Sequence, residues 1–122
     1  MDSSAAGESC VLIVDDEEDA RESLRDAVEM IGCTAIMADT GENALAFLAR
    51  RRPCLVILDL LMPGMTGAEL LDAIRAQPAL ANVPVVMSTS APERAPRGVP
   101  MLPKPIDVDA LWAWMHRVCR CP

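Results

Sequence analysis

Apolar and polar positions alternate along this chain in two distinct rhythms. Three short apolar runs are unbroken: Cys10-Val-Leu-Ile-Val14, Cys54-Leu-Val-Ile-Leu58 and Val83-Pro-Val-Val-Met87. Continuous runs of this length, rich in Val and Ile, predict strands buried on both faces. Thr34–Ala38 is a weaker strand, and Val99–Leu102, flanked by prolines, a fifth. Between them the spacing becomes helical. Over 17–31, Ala20, Leu24, Ala27, Val28 and Ile31 share one face, and Gly32 ends the helix. Over 41–51, Ala44, Leu45 and Leu48 do the same, with Pro53 just beyond. Thr66 followed by Glu69 forms a capping box for a helix to about Ala76, before Pro78. Asp107 caps a last helix with Val108, Leu111, Trp112, Met115, Val118 and Cys119 on one stripe.

Strict alternation of strands and helices predicts an α/β fold, a five-stranded parallel sheet with helices on both faces. At 122 residues the chain makes one domain, with residues 1–8 as a flexible N-terminus. Phe47, Trp112 and Trp114 are the only aromatic residues, so the core is aliphatic. Trp112 and Met115 are expected in that core. Trp114 falls toward the edge of the stripe, and His116 at the surface. The net charge of −7 argues against nucleic acid as a partner. The Arg50-Arg51-Arg52 run is read as cations at a helix C-terminus. No stretch is long and apolar enough for a membrane span, and Met1 to Ser9 lacks the pattern of a signal peptide. These features predict a cytoplasmic protein. Of five cysteines, Cys10, Cys33 and Cys54 are read as small buried hydrophobes. Cys119 and Cys121 near the end could bind metal or form a disulfide, but no His or Cys partners lie at useful spacing, so no zinc site is expected.

In sheets of this kind, ligands bind at the carboxyl ends of the strands. The first strand ends in Asp15-Asp16, the third in Asp59, the fourth in Ser88-Thr89-Ser90, and the fifth in Pro103-Lys104-Pro105. Three carboxylates, a hydroxyl and an ammonium therefore converge. Close carboxylates repel, so a proton or a cation must neutralise them. Mg²⁺ is the fitting cation, being hard, oxygen-seeking and content with one or two carboxylates plus water. A phosphoryl group on one carboxylate would find the metal, Lys104 and the Thr89 hydroxyl around its oxygens. Lys104 is the only lysine, beside ten arginines. Glu17, Glu18 and Asp19 fit better as acids at a helix N-terminus. Asp59 read alone could be a turn residue before Pro63-Gly64, and a one-residue slip in the fourth strand would exchange Thr89 for Ser88.

Val-Asp-Asp at 14–16, Leu-Asp-Leu-Leu-Met-Pro-Gly-Met-Thr-Gly at 58–67 and Leu-Pro-Lys-Pro at 102–105 resemble the motifs of the response-regulator receiver domain, from about Ser9 to Arg120. The resemblance implies a doubly wound, flavodoxin-like sheet in the order 2-1-3-4-5. It implies Asp59 as phosphoacceptor, Asp16 as a direct Mg²⁺ ligand, Asp15 as a ligand acting mainly through water, and the Leu61 backbone carbonyl as a further ligand. Thr89 and Lys104 would contact the phosphoryl oxygens, and the Lys104–Pro105 bond would be cis. No other cofactor is implied. The donor would be a phosphohistidine on a sensor histidine kinase or a histidine phosphotransfer protein, and signalling would run through the fourth helix, fifth strand and last helix to a downstream protein. The domain would catalyse its own phosphorylation and dephosphorylation without being an enzyme in the usual sense.

Two positions depart from that pattern. Met101 stands where receivers usually carry Tyr or Phe, three residues before the lysine. Fourteen residues separate Thr89 from Lys104, too few for a strand and a three-turn helix, so the fourth helix is expected to be shortened or irregular. These departures keep open a docking module that takes no phosphate. An aspartyl phosphatase would need an Asp-x-Asp pattern, whereas the acids here are adjacent; a nucleotide site would need a Gly-rich loop. The chain ends at Pro122, directly after the last helix, so no DNA-binding output is expected. Oligomeric state stays open.

Overall fold

A computed structural model of the chain describes residues 8–121. Its elements run β1 (Glu8–Val14), α1 (Glu18–Ile31), β2 (Thr34–Ala38), α2 (Gly41–Leu48), β3 (Pro53–Asp59), α3 (Gly67–Arg75), β4 (Val85–Thr89), β5 (Met101–Pro103) and α4 (Val108–Val118). The five strands form one sheet in the order β2-β1-β3-β4-β5, and every pair is parallel. The expected flexible N-terminus lies outside the described residues, except for Glu8, which begins β1.

Successive strand residues point to opposite faces, and the sheet exploits this to build two cores. Leu12, Val14, Val56 and Leu58 face α2 and α3, meeting Ala44, Leu48, Leu70 and Ile74. Val11, Ile13, Leu55 and Ile57 face α1 and α4, meeting Leu24, Val28, Leu111 and Met115. All seven residues of β3 are buried, which explains its unbroken apolar run.

Two caps form where the sequence places them: Thr66 and Glu69 complete a capping box, and Asp107 accepts from the Asp109 N–H. Thr40, not singled out in the sequence, caps α2 by accepting from the Asn43 N–H. Boundaries shift by a few residues. β4 begins at Val85 rather than Val83, because Pro84 has no N–H for the ladder, although its carbonyl accepts from Val56 at 2.9 Å. β5 likewise starts after Pro100. Helix α2 stops at Leu48, and the chain tightens through Arg50 N–H to Phe47 O before Pro53 opens β3.

No full helix lies between β4 and β5. One 3-10 turn, Pro92–Arg94, takes its place, as the spacing and prolines predict. Ala95 and Val99 pack against the core from this segment, giving it some of the cover a helix would supply.

Two expectations are corrected. Trp112 is 50% exposed and stacks on His116, while Trp114 packs against the core with the Arg117 guanidinium over its ring. Leu111 and Met115, four residues apart, fill the buried stripe, and Trp112 falls one residue outside it. The second correction concerns the cysteines. Cys33 pairs with Cys121 and Cys54 with Cys119, across 88 and 65 residues of sequence. Spacing along the chain gave no sign of this. The pairs form because the end of α4 descends to the roots of β2 and β3. Cys10 is buried and takes part in neither pair.

Candidate functional site

The C-terminal ends of β1, β3, β4 and β5 open onto one polar cleft of about 370 Å³, lined by Asp15, Asp16, Asp59, Leu61, Thr89 and Lys104 among others. All six residues expected at the site meet there. Parallel strands and consistent register make this unavoidable. Val14 sits beside Leu58, and Asp59 beside Ser88, so the polar residue after each apolar run emerges at the same level.

Asp15, Asp59 and Thr89 are buried, and Asp16 is exposed at the mouth. The Lys104 ammonium donates to Asp15 Oδ2 at 3.0 Å and to Asp59 Oδ1 at 3.3 Å. Its position follows from the sheet, because Lys104 N–H bonds to Thr89 O at the last rung between β4 and β5. The Lys104–Pro105 bond is cis.

Burial, reinforced by the Asp15 carboxylate, pushes the Asp59 pKa up from 3.8 to about 6; Lys104 pulls it down and Asp16 adds to the rise. Burial works against the Lys104 ammonium. Its bonds and charge contacts with Asp15 and Asp59 outweigh this and hold its pKa above the usual lysine value of 10.5. The cluster is therefore short of positive charge: one ammonium faces three acids.

Carboxylate oxygens of Asp15, Asp16 and Asp59 lie within 4.8 Å of one another. An all-oxygen donor set of that compactness, at an open cleft that admits water, fits a hard divalent cation such as Mg²⁺. Leu61 lines the same cleft, on the loop after β3, where its carbonyl can join the donors.

Thr89 lines this cleft, and its hydroxyl accepts from the Ala91 N–H at 2.9 Å. Ser88 does not line it. Its hydroxyl is buried with no partner among the described residues, so the alternative register is not the one adopted.

Two supports were not singled out in the sequence. Arg21 reaches back from α1 to the Asp15 carbonyl at 2.8 Å, while Asp15 Oδ1 accepts from the Glu17 N–H, and together they fix the loop carrying Asp15 and Asp16. Its placement on the first turns of the helix after Asp15-Asp16 was the available signal. Gly67, last residue of the 58–67 motif, lies so close to β3 that a Cβ would run into the Asp59 carbonyl oxygen and stand 2.8 Å from Leu60 Cα. Only glycine lets α3 start against the backbone that holds Asp59. Gly64 takes a positive φ of 80° in the turn between them.

The profile of the response regulator receiver domain family matches residues 11–114. Among curated relatives, the chain is 35% identical over 83 residues to the phosphate regulon transcriptional regulatory protein PhoB of Pseudomonas aeruginosa, covering 68% of this chain and 36% of that one. It is 31% identical over 117 residues to the response regulator MprA of a Mycobacterium species, covering 90% of this chain and 50% of that one. The chain thus spans between a third and half of these relatives. Among solved structures, the chemotaxis protein CheY4 of Vibrio cholerae superposes with a TM-score of 0.80 at 30% identity, over 90% of this chain and 98% of that one. Motifs, topology and likeness agree, and the chain belongs to the response regulator receiver domain family of two-component systems.

Proposed function

We propose that Asp59 is the phosphoacceptor of this receiver domain, and that Mg²⁺ bound by Asp16, Asp59 and the Leu61 carbonyl, with Asp15 acting mainly through water, is required for the transfer. The carrying observation is the Lys104 ammonium set between Asp15 and Asp59 in an open cleft. A carboxylate oxygen of Asp59 attacks phosphorus as the P–N bond to a histidine of the donor breaks. The electron pair returns to the imidazole nitrogen. The metal, when bound, supplies the positive charge that three carboxylates and an incoming phosphoryl group need. Asp59 must be ionised to attack. Lys104 favours that form, and stands ready to hold a phosphoryl oxygen once its bond to Asp59 is given up. The Thr89 hydroxyl donates to another oxygen. The same residues position water for loss of the phosphoryl group, so the domain catalyses its own phosphorylation and dephosphorylation.

The donor is a histidine kinase or a histidine phosphotransfer protein. Phosphohistidine is made from ATP, which supports a cytoplasmic location for the transfer. No helix among the described residues is long and apolar enough to cross a membrane. Output runs through β5, α4 and the 3-10 turn at Pro92–Arg94 to a downstream protein, and Met101, 37% exposed on β5, takes the place of an aromatic switch. The expectation of no nucleic acid is confined to these 122 residues, since the transcriptional regulator PhoB extends well beyond the match.

Incubation with acetyl phosphate tests this reading by intact mass. One phosphoryl mass, gained only with Mg²⁺ and lost in Asp59→Asn, is the expected result. Equal labelling of the Asn variant would identify a different acceptor.

A further inference from the structure

At the opposite end of the sheet from Asp59, four cysteine sulfurs form one cluster. The Sγ atoms of Cys33, Cys54, Cys119 and Cys121 all lie within 4.8 Å of one another. Cys33 precedes β2, Cys54 lies near the start of β3, Cys119 ends α4, and Cys121 follows it. Cα atoms within each pair are 5.1 Å apart. Cys54 and Asp59 are five positions apart along β3, about 17 Å of strand.

We propose that, with both disulfides reduced, these four cysteines form a tetrathiolate site for Zn²⁺, a second metal site chemically distinct from the carboxylate cleft.

Ligand number and type fit. Zn²⁺ takes four thiolates tetrahedrally at about 2.3 Å, which sets the sulfurs roughly 3.8 Å apart. The present cluster needs small side-chain rotations to reach that spacing: paired sulfurs part and unpaired ones draw in. No backbone has to travel, because all four positions already surround one point. Hard Mg²⁺ has no use for such a site, and soft sulfur favours Zn²⁺ over the oxygen-seeking cations.

The surroundings also fit. Cys33 and Cys54 are buried, while Cys119 and Cys121 are half-buried, so an ion has an entry path from one side. A small cavity of about 90 Å³ opens there, bordered by Ile31, Trp112, Met115 and His116.

The chemistry balances. Each disulfide takes two electrons and two protons from a cellular dithiol reductant, yielding two thiols. Four thiols then bind Zn²⁺ and release four protons. The site rests on the cytoplasmic reading only for its source of reductant, where thiols are kept reduced and clustered cysteines serve metals more often than disulfides. Filled, it ties the end of α4 to the roots of β2 and β3.

The test is a titration of the full chain, reduced with a phosphine and stripped by a chelator, with Co²⁺ and then Zn²⁺. One Co²⁺ per chain is expected at the sulfur cluster, with the intense visible bands and thiolate-to-cobalt charge transfer of a tetrahedral sulfur site, displaced by one equivalent of Zn²⁺; Co²⁺ in the carboxylate cleft adds only a weak octahedral spectrum. Asp59→Asn and Cys10→Ser should leave that spectrum unchanged, which separates this site from the phosphorylation reading. Replacing the half-buried Cys119 and Cys121 together with Ser should weaken Zn²⁺ binding by on the order of a hundredfold or more. A weak octahedral Co²⁺ spectrum with no thiolate charge transfer would overturn the proposal, as would undiminished charge transfer in the double variant or disulfides that persist in millimolar dithiol.

Discussion

The Lys104 ammonium stands 3.3 Å from Asp59 Oδ1, joining residues 45 apart in sequence across the ends of β3 and β5. The same nitrogen holds Asp15 Oδ2 at 3.0 Å. One cation thus occupies ground that a metal and a phosphoryl group would also claim, and its removal should separate their contributions. In Lys104→Met, phosphorylation by acetyl phosphate is expected to slow on the order of a hundredfold. Mg²⁺ affinity, followed by calorimetry, is expected to stay or tighten, because a competing ammonium is gone. Loss of both together would mean that Lys104 organises the cleft rather than serving the transfer.

Burial of Asp59, reinforced by the Asp15 carboxylate, predicts a pH dependence of stability. Its folded pKa of about 6 lies above the ordinary value of 3.8, so its protonated form is favoured by folding. That contribution is fully present below about pH 4 and is lost as pH rises through about 6. The shift corresponds to up to about 3 kcal/mol. In chelator, the stability gap between Asp59→Asn and wild type should widen by that order from pH 4 to pH 8, measured by urea unfolding. Mg²⁺ should narrow the gap at pH 8 by stabilising wild type. A gap independent of pH would mean that neither burial nor the neighbouring acids raise the Asp59 pKa.

The close approach of α3 to β3 predicts the cost of one methyl group. Gly67→Ala sets a Cβ against the Asp59 carbonyl and Leu60 Cα, both backbone, so neither can swing aside. A loss of about 1–3 kcal/mol is expected in denaturant unfolding. Phosphorylation should fall as well, because relief requires Asp59 to shift. A fully active and stable Ala variant would contradict the packing described.

The fourth strand offers a paired test of register. Thr89→Ala should slow phosphorylation at least about tenfold, whereas Thr89→Ser should keep most of the rate. Ser88→Ala should leave the rate unchanged and could stabilise the fold by about 1 kcal/mol, since a buried hydroxyl without a partner is removed. Initial rates by intact mass decide between them. The reverse pattern would assign the site to Ser88.

Much of this protein is legible in its sequence, because periodicity and punctuation are local properties. The buried runs 10–14 and 54–58, the Thr66–Glu69 capping box and the proline-broken stretch 90–98 each predict what forms there. The site is legible too. A parallel sheet brings the residue after every apolar run to one edge, so the sequence alone puts Asp15, Asp16, Asp59, Thr89 and Lys104 together. What the tertiary structure alone decided depends on distances between segments far apart in sequence. Trp112 and Met115 share a helix, yet the angle of α4 on the sheet buries one and exposes the other. Gly67 is an ordinary helix start until α3 presses on the Asp59 carbonyl. Four cysteines separated by as many as 88 residues meet only because α4 ends over the roots of β2 and β3, a convergence set by helix length and packing angle rather than by any spacing along the chain.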